Sequence, residues 1–261
     1  MRKVEIDKYD LAAKASKRVT DYIAEEKPLH LFVDTTYWAT ILCSPSNLKE
    51  MAVGHLLSEG ILKSTKEIQE IYLKEKEGIC YVKLKSAVSV NERLSLSRLH
   101  QRVVTSVCGA QSIYQYQRKP AKVSSKLKVK AEIVFSSVKQ LNFKAEVFRK
   151  TGGVHAAAIY TASGSLMALA EDVGRHNAVD KVIGMVALKE ISFSDCFLTS
   201  TGRLSGDIIF KASKVGLPIV ASLGAALDSG VAMAEAANLT LAGFVRGKRI
   251  NIYCFPERII L

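Results

Sequence analysis

From Lys150 the chain runs KTGGVHAAAIYTASGSLMALAEDVGRHNAVDKVIG to Gly184, and no other stretch narrows its possible folds as much. Two apolar runs, residues 156–161 and 166–171, flank Ala162-Ser-Gly-Ser165, which is the turn chemistry of a β-hairpin. The residues at 175–188 then place Ala178, Val179, Val182, Ile183 and Val186 on one stripe of a helix. Between hairpin and helix, Glu171, Asp172, Gly174, Arg175, His176, Asn177 and Asp180 crowd together. A core needs none of those polar groups at that density, and glycine beside a helix start lets backbone approach another group closely.

The alternation extends in both directions. A helix is predicted at 131–148, then strand 196–199, helix 206–215, strand 218–222, helix 229–237 and extended runs at 239–245 and 250–255. A helix, a hairpin and repeated strand–helix units predict an α/β fold, a three-layer α/β/α sandwich around a mixed sheet. The first half reads as α+β. Strands at 29–33 and 38–43 precede a helix at 47–58, capped by Ser44-Pro45-Ser46 and closed by Gly60. Runs at 68–73 and 79–84 form a hairpin across Lys76-Glu77-Gly78, followed by a short helix at 91–99 and an extended run at 102–106. The polar, basic, Pro-containing stretch 117–125 reads as a linker. The chain therefore divides into an α+β unit, 1–125, ending in a cysteine loop and that linker, and an α/β/α unit, 126–261.

A hydrophobic content of 48% with 24% charged residues suits a soluble globular protein. The longest low-charge run, 215–227, is too short and too broken by Pro, Gly and Ser to span a bilayer. No secretory leader follows Met1-Arg-Lys, so a cytoplasmic location without membrane insertion is expected. Five cysteines, with no Cys-x-x-Cys pair, argue against a disulfide framework or zinc knuckle; Cys43, Cys196 and Cys254 sit in apolar runs and read as core. A net charge of +12 calls for an anionic partner. Part of it lies in Arg118-Lys-Pro-Ala-Lys-Val-Ser-Ser-Lys-Leu-Lys-Val-Lys130, which reads as a solvated flexible segment. No nucleic-acid-binding motif accompanies it, so nucleic acid ranks last among partners.

Three loops precede helices: Glu171 to Asn177, Thr199 to Ser205, and Gly224 to Ser229. In α/β sheets ligands gather outside the carboxyl ends of strands, where helix starts offer N–H groups to anions. Gly174 and Arg175 in the first loop, and Thr201, Arg203 and Ser205 in the second, suit a phosphate or pyrophosphate. The alternative is ordinary capping, with Asp172 taking helix donors and Arg175 pairing with it. His155, in an apolar run, reads as a core residue unless it lines the crevice, whereas His176 suits either a metal-ligand or a base role. Cys108 stands in Thr105-Ser-Val-Cys-Gly-Ala-Gln-Ser112, a Gly-flanked polar loop of a basic protein, where a thiolate is plausible.

These residues resemble the FdhD/NarQ family of formate dehydrogenase accessory proteins. The likeness runs through Leu48-Lys-Glu-Met-Ala-Val-Gly-His-Leu-Leu-Ser-Glu-Gly60, Thr151-Gly-Gly-Val-His-Ala-Ala-Ala158, Glu171-Asp-Val-Gly-Arg-His-Asn-Ala-Val-Asp-Lys-Val-Ile-Gly184, Thr201-Gly-Arg-Leu-Ser205 and Leu241-Ala-Gly-Phe-Val-Arg-Gly247. The resemblance implies a cytidine-deaminase-like fold with a smaller N-terminal domain, and a homodimer. It implies a sulfur carrier that takes persulfide sulfur from a cysteine desulfurase and passes it to a bis(molybdopterin guanine dinucleotide) molybdenum cofactor destined for formate dehydrogenase. That cofactor would be a bound substrate, with GDP-like nucleotides as its mimics. Carried over residue by residue, Cys108 takes the place of the sulfur-bearing cysteine, and Phe244, Val245, Arg246, Gly247, Lys248 and Arg249 fall where the family binds cofactor.

The sequence departs from the family pattern in two places. Only one thiol occupies the cysteine loop, whether an ungapped match puts Thr105 at the first cysteine's position or a shifted gap makes Cys108 the first, so a resolving partner is missing while a single-nucleophile relay remains possible. Ala226-Leu227 replaces a Pro-Thr pair common among relatives. The deaminase comparison also predicts no zinc, since Arg175-His-Asn-Ala-Val179 and Thr201-Gly-Arg-Leu-Ser205 lack the glutamate and thiolates of that chemistry. The competing reading is a cofactor-binding chaperone with no covalent sulfur step.

Overall fold

The computed structural model describes residues 1–86, 88, 103–104 and 119–261. The helix expected at 91–99, most of the run at 102–106, Cys108 with its loop, and residues 117–118 lie outside the described residues. A two-stranded ribbon opens the chain: β1 (Arg2–Asp10) pairs antiparallel with β2 (Ala15–Ile23), Ile6 opposite Val19. Charged residues alternate so densely there that the apolar period gave no strand signal. Next come β3 (Lys27–Val33), β4 (Thr36–Cys43), α1 (Leu48–Ser58), β5 (Ile68–Lys74), β6 (Ile79–Leu84) and β7 (Val103–Val104). Their strands form one sheet in the order β5-β6-β3-β4-β7.

Helix α1 ends as expected. Gly60 adopts φ +76°, and Ile61 and Gly60 donate back to Leu56 and Leu57, a left-handed cap that glycine accepts without strain. Its start differs from expectation. Asn47 is left-handed and no side chain caps the helix, because Ser44 is used elsewhere: its hydroxyl accepts the Val173 N–H at 3.1 Å and its N–H donates to Asp172 at 2.9 Å.

The second half continues with β8 (Val129–Lys130), α2 (Ala131–Lys144), α3 (Glu146–Thr151), β9 (His155–Thr161), β10 (Leu166–Asp172), α4 (Arg175–Ala187), β11 (Cys196–Ser200), α5 (Gly206–Lys214), β12 (Ile219–Ser222), α6 (Asp228–Ala237), β13 (Thr240–Arg246), β14 (Arg249–Cys254) and β15 (Ile259–Ile260). The six-stranded sheet has the order β10-β9-β11-β12-β13-β14, and β15 pairs with β8 apart from it. The single helix expected at 131–148 is two, because the Glu171 carboxylate accepts the N–H groups of Val147 and Phe148 at 3.1 and 2.6 Å. A helix start needs such acceptors for its free donors, and this one breaks the helix at Ala145. Residues 119–130 are not a free linker: exposed lysines alternate with Val123 (4% exposed) and Val129 (1%), and the Val123 N–H reaches the Ala237 carbonyl at 2.8 Å.

Strand alternation splits the six-stranded sheet between two apolar layers. Ala156, Ala158 and Tyr160 of β9 join Phe197, Ile219 and Ala242 against Val134, Val138 and Leu141 of α2. Ala157 and Ile159 join Leu198, Val220 and Leu241 on the opposite face, with residues of α4, α5 and α6. That second layer runs on without a gap into Met51, Leu56, Leu31 and Ile41 of α1 and the five-stranded sheet. The junction is a crossing of α1 over α4 at two glycines. A Cβ on Gly54 would lie 1.7 Å from the Asp180 carbonyl oxygen, and one on Gly184 would lie 1.9 Å from that of Glu50.

Two buried ion networks flank this crossing. Lys181, fully buried, donates to Asp172 at 2.7 Å and to the carbonyls of Ser44 and Glu171. Lys211 donates to Asp180 and Glu59, each at 2.9 Å, and Asp180 also accepts from Ser58 at 2.6 Å and contacts His55 at 3.1 Å. Burial opposes ionising Asp180, but Lys211, His55 and Ser58 outweigh it and hold its carboxyl below the usual carboxylate range.

Candidate functional site

Because β9 is antiparallel to both β10 and β11, the carboxyl ends of β10, β11, β12 and β13 emerge at one sheet edge. The starts of β9 and β14 lie at that edge too, so all six strands contribute to it. Three of the exits share one construction. Asp172, Ser200 and Ser222, each the last residue of its strand, accept the N–H of Gly174, Gly202 and Gly224 two residues on, at 2.9, 3.0 and 3.0 Å. Asp-Val-Gly, Ser-Thr-Gly and Ser-Leu-Gly are thus one repeated turn, a signal present in the sequence but visible only once the strand ends are fixed.

Glycine is required in the second and third turns because the preceding loop lies against it. A Cβ on Gly202 would meet Cβ of Arg175 at 2.9 Å, and one on Gly224 would meet the Gly202 carbonyl oxygen at 2.8 Å. Backbone bonds tie the loops further: Leu204 N–H to Ala225, Leu227 N–H to Leu204, and Phe244 N–H to Gly224. Despite Ala226-Leu227, the third loop is seated firmly beside the second. The rim therefore runs unbroken from β9 and α4, through the β11–α5 and β12–α6 loops, to the β13–β14 turn.

The expected site residues distribute along this rim. Gly174 and Arg175 are buried at the start of α4, with Arg175 7% exposed. His176 contacts the Ser205 hydroxyl at 3.5 Å, and Ser205 itself is buried. Burial, with the positive charges of Arg175 and Lys211, pushes His176 well below the ordinary imidazole value, so it is neutral near pH 7. The alternative pairing of Arg175 with Asp172 is not formed: Asp172 is occupied by Lys181, Asn177, Gly174 and Ser44. Thr201 binds back to β9, its hydroxyl accepting the Ala156 N–H at 3.0 Å, and Arg203 is exposed.

In the β13–β14 turn, the guanidiniums of Arg246 and Arg249 stand 5.2 and 5.7 Å from the Phe244 ring centroid. Each is within cation–π range, which gathers two cations around one aromatic ring. Lys248 and Gly247 form the tip, both with positive φ. Val245 differs from its neighbours: its side chain is 2% exposed and packs on the α2 side, so only its backbone reaches the rim. His155, read from the sequence as a core residue, is only half-buried and stands at the rim against Thr201. Among the described residues no group of three His, Cys, Asp or Glu gathers in a metal-binding arrangement.

Four cysteines are described and all are buried, as Cys43, Cys196 and Cys254 were expected to be. Burial pushes Cys43 and Cys80 up to about 12 and raises Cys196 and Cys254, so none supplies a thiolate near neutrality. No helix among the described residues is long and apolar enough to cross a membrane.

The model of the FdhD/NarQ family matches residues 24–260. The chain belongs to that family. A protein named Sulfur carrier protein FdhD from Sulfolobus acidocaldarius is 36% identical, over 100% of this chain and 99% of its own. Namesakes from Saccharolobus solfataricus (35%, covering 98% and 99%) and Bacillus subtilis (34%, covering 93% and 92%) are similar as well. A crystal structure described as a formate dehydrogenase accessory protein, from Desulfotalea psychrophila, superposes with a TM-score of 0.79 at 24% identity over 99% of both chains. It shares the fold. The family's match begins at residue 24, after the β1–β2 ribbon, and takes in the whole rim.

Proposed function

We propose that this chain is a sulfur carrier that serves formate dehydrogenase by relaying persulfide sulfur through Cys108 to a bis(molybdopterin guanine dinucleotide) molybdenum cofactor. The reading is carried by the gathering of Arg175, Arg203, Arg246 and Arg249 around glycine-linked loops at one sheet edge, a place suited to the phosphates of a guanine dinucleotide. Family membership supports the sulfur chemistry, and the relatives' name supports the carrier role.

The first step is a thiolate exchange. The Cys108 thiolate attacks the outer sulfur of a cysteine desulfurase persulfide, a new S–S bond forms, the old one breaks, and the desulfurase leaves as a thiolate. No net oxidation occurs. The sulfane sulfur then passes to the cofactor, and two electrons from the reduced metal or a thiol reductant convert it to sulfide as the Cys108 thiolate is regenerated. A single nucleophile suffices for both steps, so Thr105 in place of a second cysteine is no obstacle. The protein works as a homodimer in the cytoplasm, with the crevice holding the cofactor's guanylate ends through Gly174, Arg175, His176, Thr201, Arg203, Ser205 and the Phe244 to Arg249 turn.

Mass spectrometry of the protein after incubation with a cysteine desulfurase and cysteine tests this reading. The expected result is one added sulfur on the peptide containing Cys108, absent from Cys108→Ala. Added sulfur that survives in Cys108→Ala removes that residue from the relay. A protein that binds GDP, acquires no sulfur and supports formate dehydrogenase as Cys108→Ala is instead a non-covalent cofactor chaperone.

A further inference from the structure

We infer that His155 is a neutral hydrogen-bond donor to a phosphate of the bound guanylate, aimed by Thr201 and set beside Arg175 and Arg203. The inference rests on the crevice reading above and adds a residue to it. The odd-numbered residues of β9, Ala157 and Ile159, face the α4 side of the sheet, and His155 continues that phase at the rim.

The Thr201 hydroxyl is the group that sets the ring tautomer in this proposal. Its hydroxyl accepts the Ala156 N–H at 3.0 Å, leaving its own proton to donate. The two acceptors within reach are Nδ1 of His155 at 3.4 Å and the Ala156 carbonyl at 3.5 Å. That carbonyl already receives the Thr201 N–H at 3.0 Å, so the hydroxyl proton is assigned to Nδ1, the shorter of the two contacts. With Nδ1 accepting, the ring hydrogen sits on Nε2, the nitrogen away from Thr201.

The two arginines are close by construction. The Arg175 side chain lies against Gly202, directly after Thr201, and Arg203 follows. Burial first, then the charges of Arg175 and Arg203, hold the His155 ring below its ordinary value, so it stays neutral. Asp172, its register partner on β10, cannot offset this, because its carboxylate is committed to Lys181, Asn177, Gly174 and Ser44. The two arginines supply attraction, and a neutral N–H supplies direction without a third charge to desolvate.

The test is calorimetric titration of the full-length protein with GDP, comparing wild type, His155→Phe and His155→Gln, with melting temperatures recorded for each. Glutamine offers an amide N–H near the Nε2 position, whereas phenylalanine keeps the ring shape and loses the donor. The Phe variant is expected to bind about 10- to 100-fold more weakly, the loss of one hydrogen bond to a charged group. The Gln variant should stay within about threefold of wild type, since its donor is retained. A ¹⁵N spectrum of the histidine rings at pH 7 should show Nε2 of His155 protonated and Nδ1 bare. Binding by His155→Phe equal to wild type overturns the inference, and so does equal loss in both variants or an imidazolium signal. Wild-type protein that takes no GDP overturns the crevice reading itself, a separate result read before any variant is made.

Discussion

Charge is handled in opposite ways at the α1–α4 crossing and at the rim, though helix α4 reaches both. At the crossing every buried cation has carboxylate partners at 2.7–2.9 Å: Lys181 with Asp172, Lys211 with Asp180 and Glu59. At the rim, among the described residues, Arg203, Arg246, Lys248 and Arg249 pair with no carboxylate, and two of them rest on Phe244. Paired buried charge locks geometry, because removing one member strands the other. Cations gathered without internal partners leave their charge to an incoming anion. The crossing is therefore the scaffold, and the rim is the place proposed for the ligand.

The largest effect that would break this contrast is at the crossing. Lys181→Met leaves the Asp172 carboxylate buried without its cation and is expected to cost about 3–5 kcal/mol of unfolding free energy. Urea denaturation measures it; a loss under about 1 kcal/mol would mean the network is not structural. Next, Arg203→Ala and Arg246→Ala should each weaken GDP binding roughly tenfold while changing stability by no more than about 0.5 kcal/mol. If either variant melts early with unchanged affinity, scaffold and site have been assigned the wrong way round.

The smallest effect is the pH dependence of stability, which separates the two regions by window alone, since both lose stability as the solution is acidified. His176 at the rim is held below its ordinary value, so the unfolded chain takes up a proton that the folded one refuses as pH falls through about 6.5. Stability should decline from there toward the depressed folded value, and His176→Gln should flatten that decline. Asp180 at the crossing acts at lower pH: its contribution is complete above the usual carboxylate value and is lost only as pH falls through the depressed one. Melting curves between neutral and acid pH check both.

Most of the six-stranded sheet and its helices could be read from the chain, because Val182, Ile183 and Val186, or Ile208 and Ile209, repeat at the period of the element they build. What escaped was set by distant partners. Nothing local breaks the helix at Ala145; the cause is Glu171, 26 residues later. Ser44 looks like a cap for α1 until Asp172 and Val173 claim it across the crossing. The ribbon β1–β2 carries too few apolar residues to show a strand period. At the rim, the loop residues were legible because glycine, arginine and hydroxyls before a helix start have few other uses. His155 was not, since an apolar run around a histidine looks the same whether the ring faces a core or a crevice.

The proposed relay joins one thiol to one crevice, and the sulfur itself reports on that link. Protein carrying radiolabelled persulfide on Cys108 is mixed with the bis(molybdopterin guanine dinucleotide) cofactor, with and without excess GDP, and the label is followed. Transfer to the cofactor that excess GDP suppresses is the predicted result. Label that stays on the protein, or moves equally fast with GDP filling the crevice, would contradict the account.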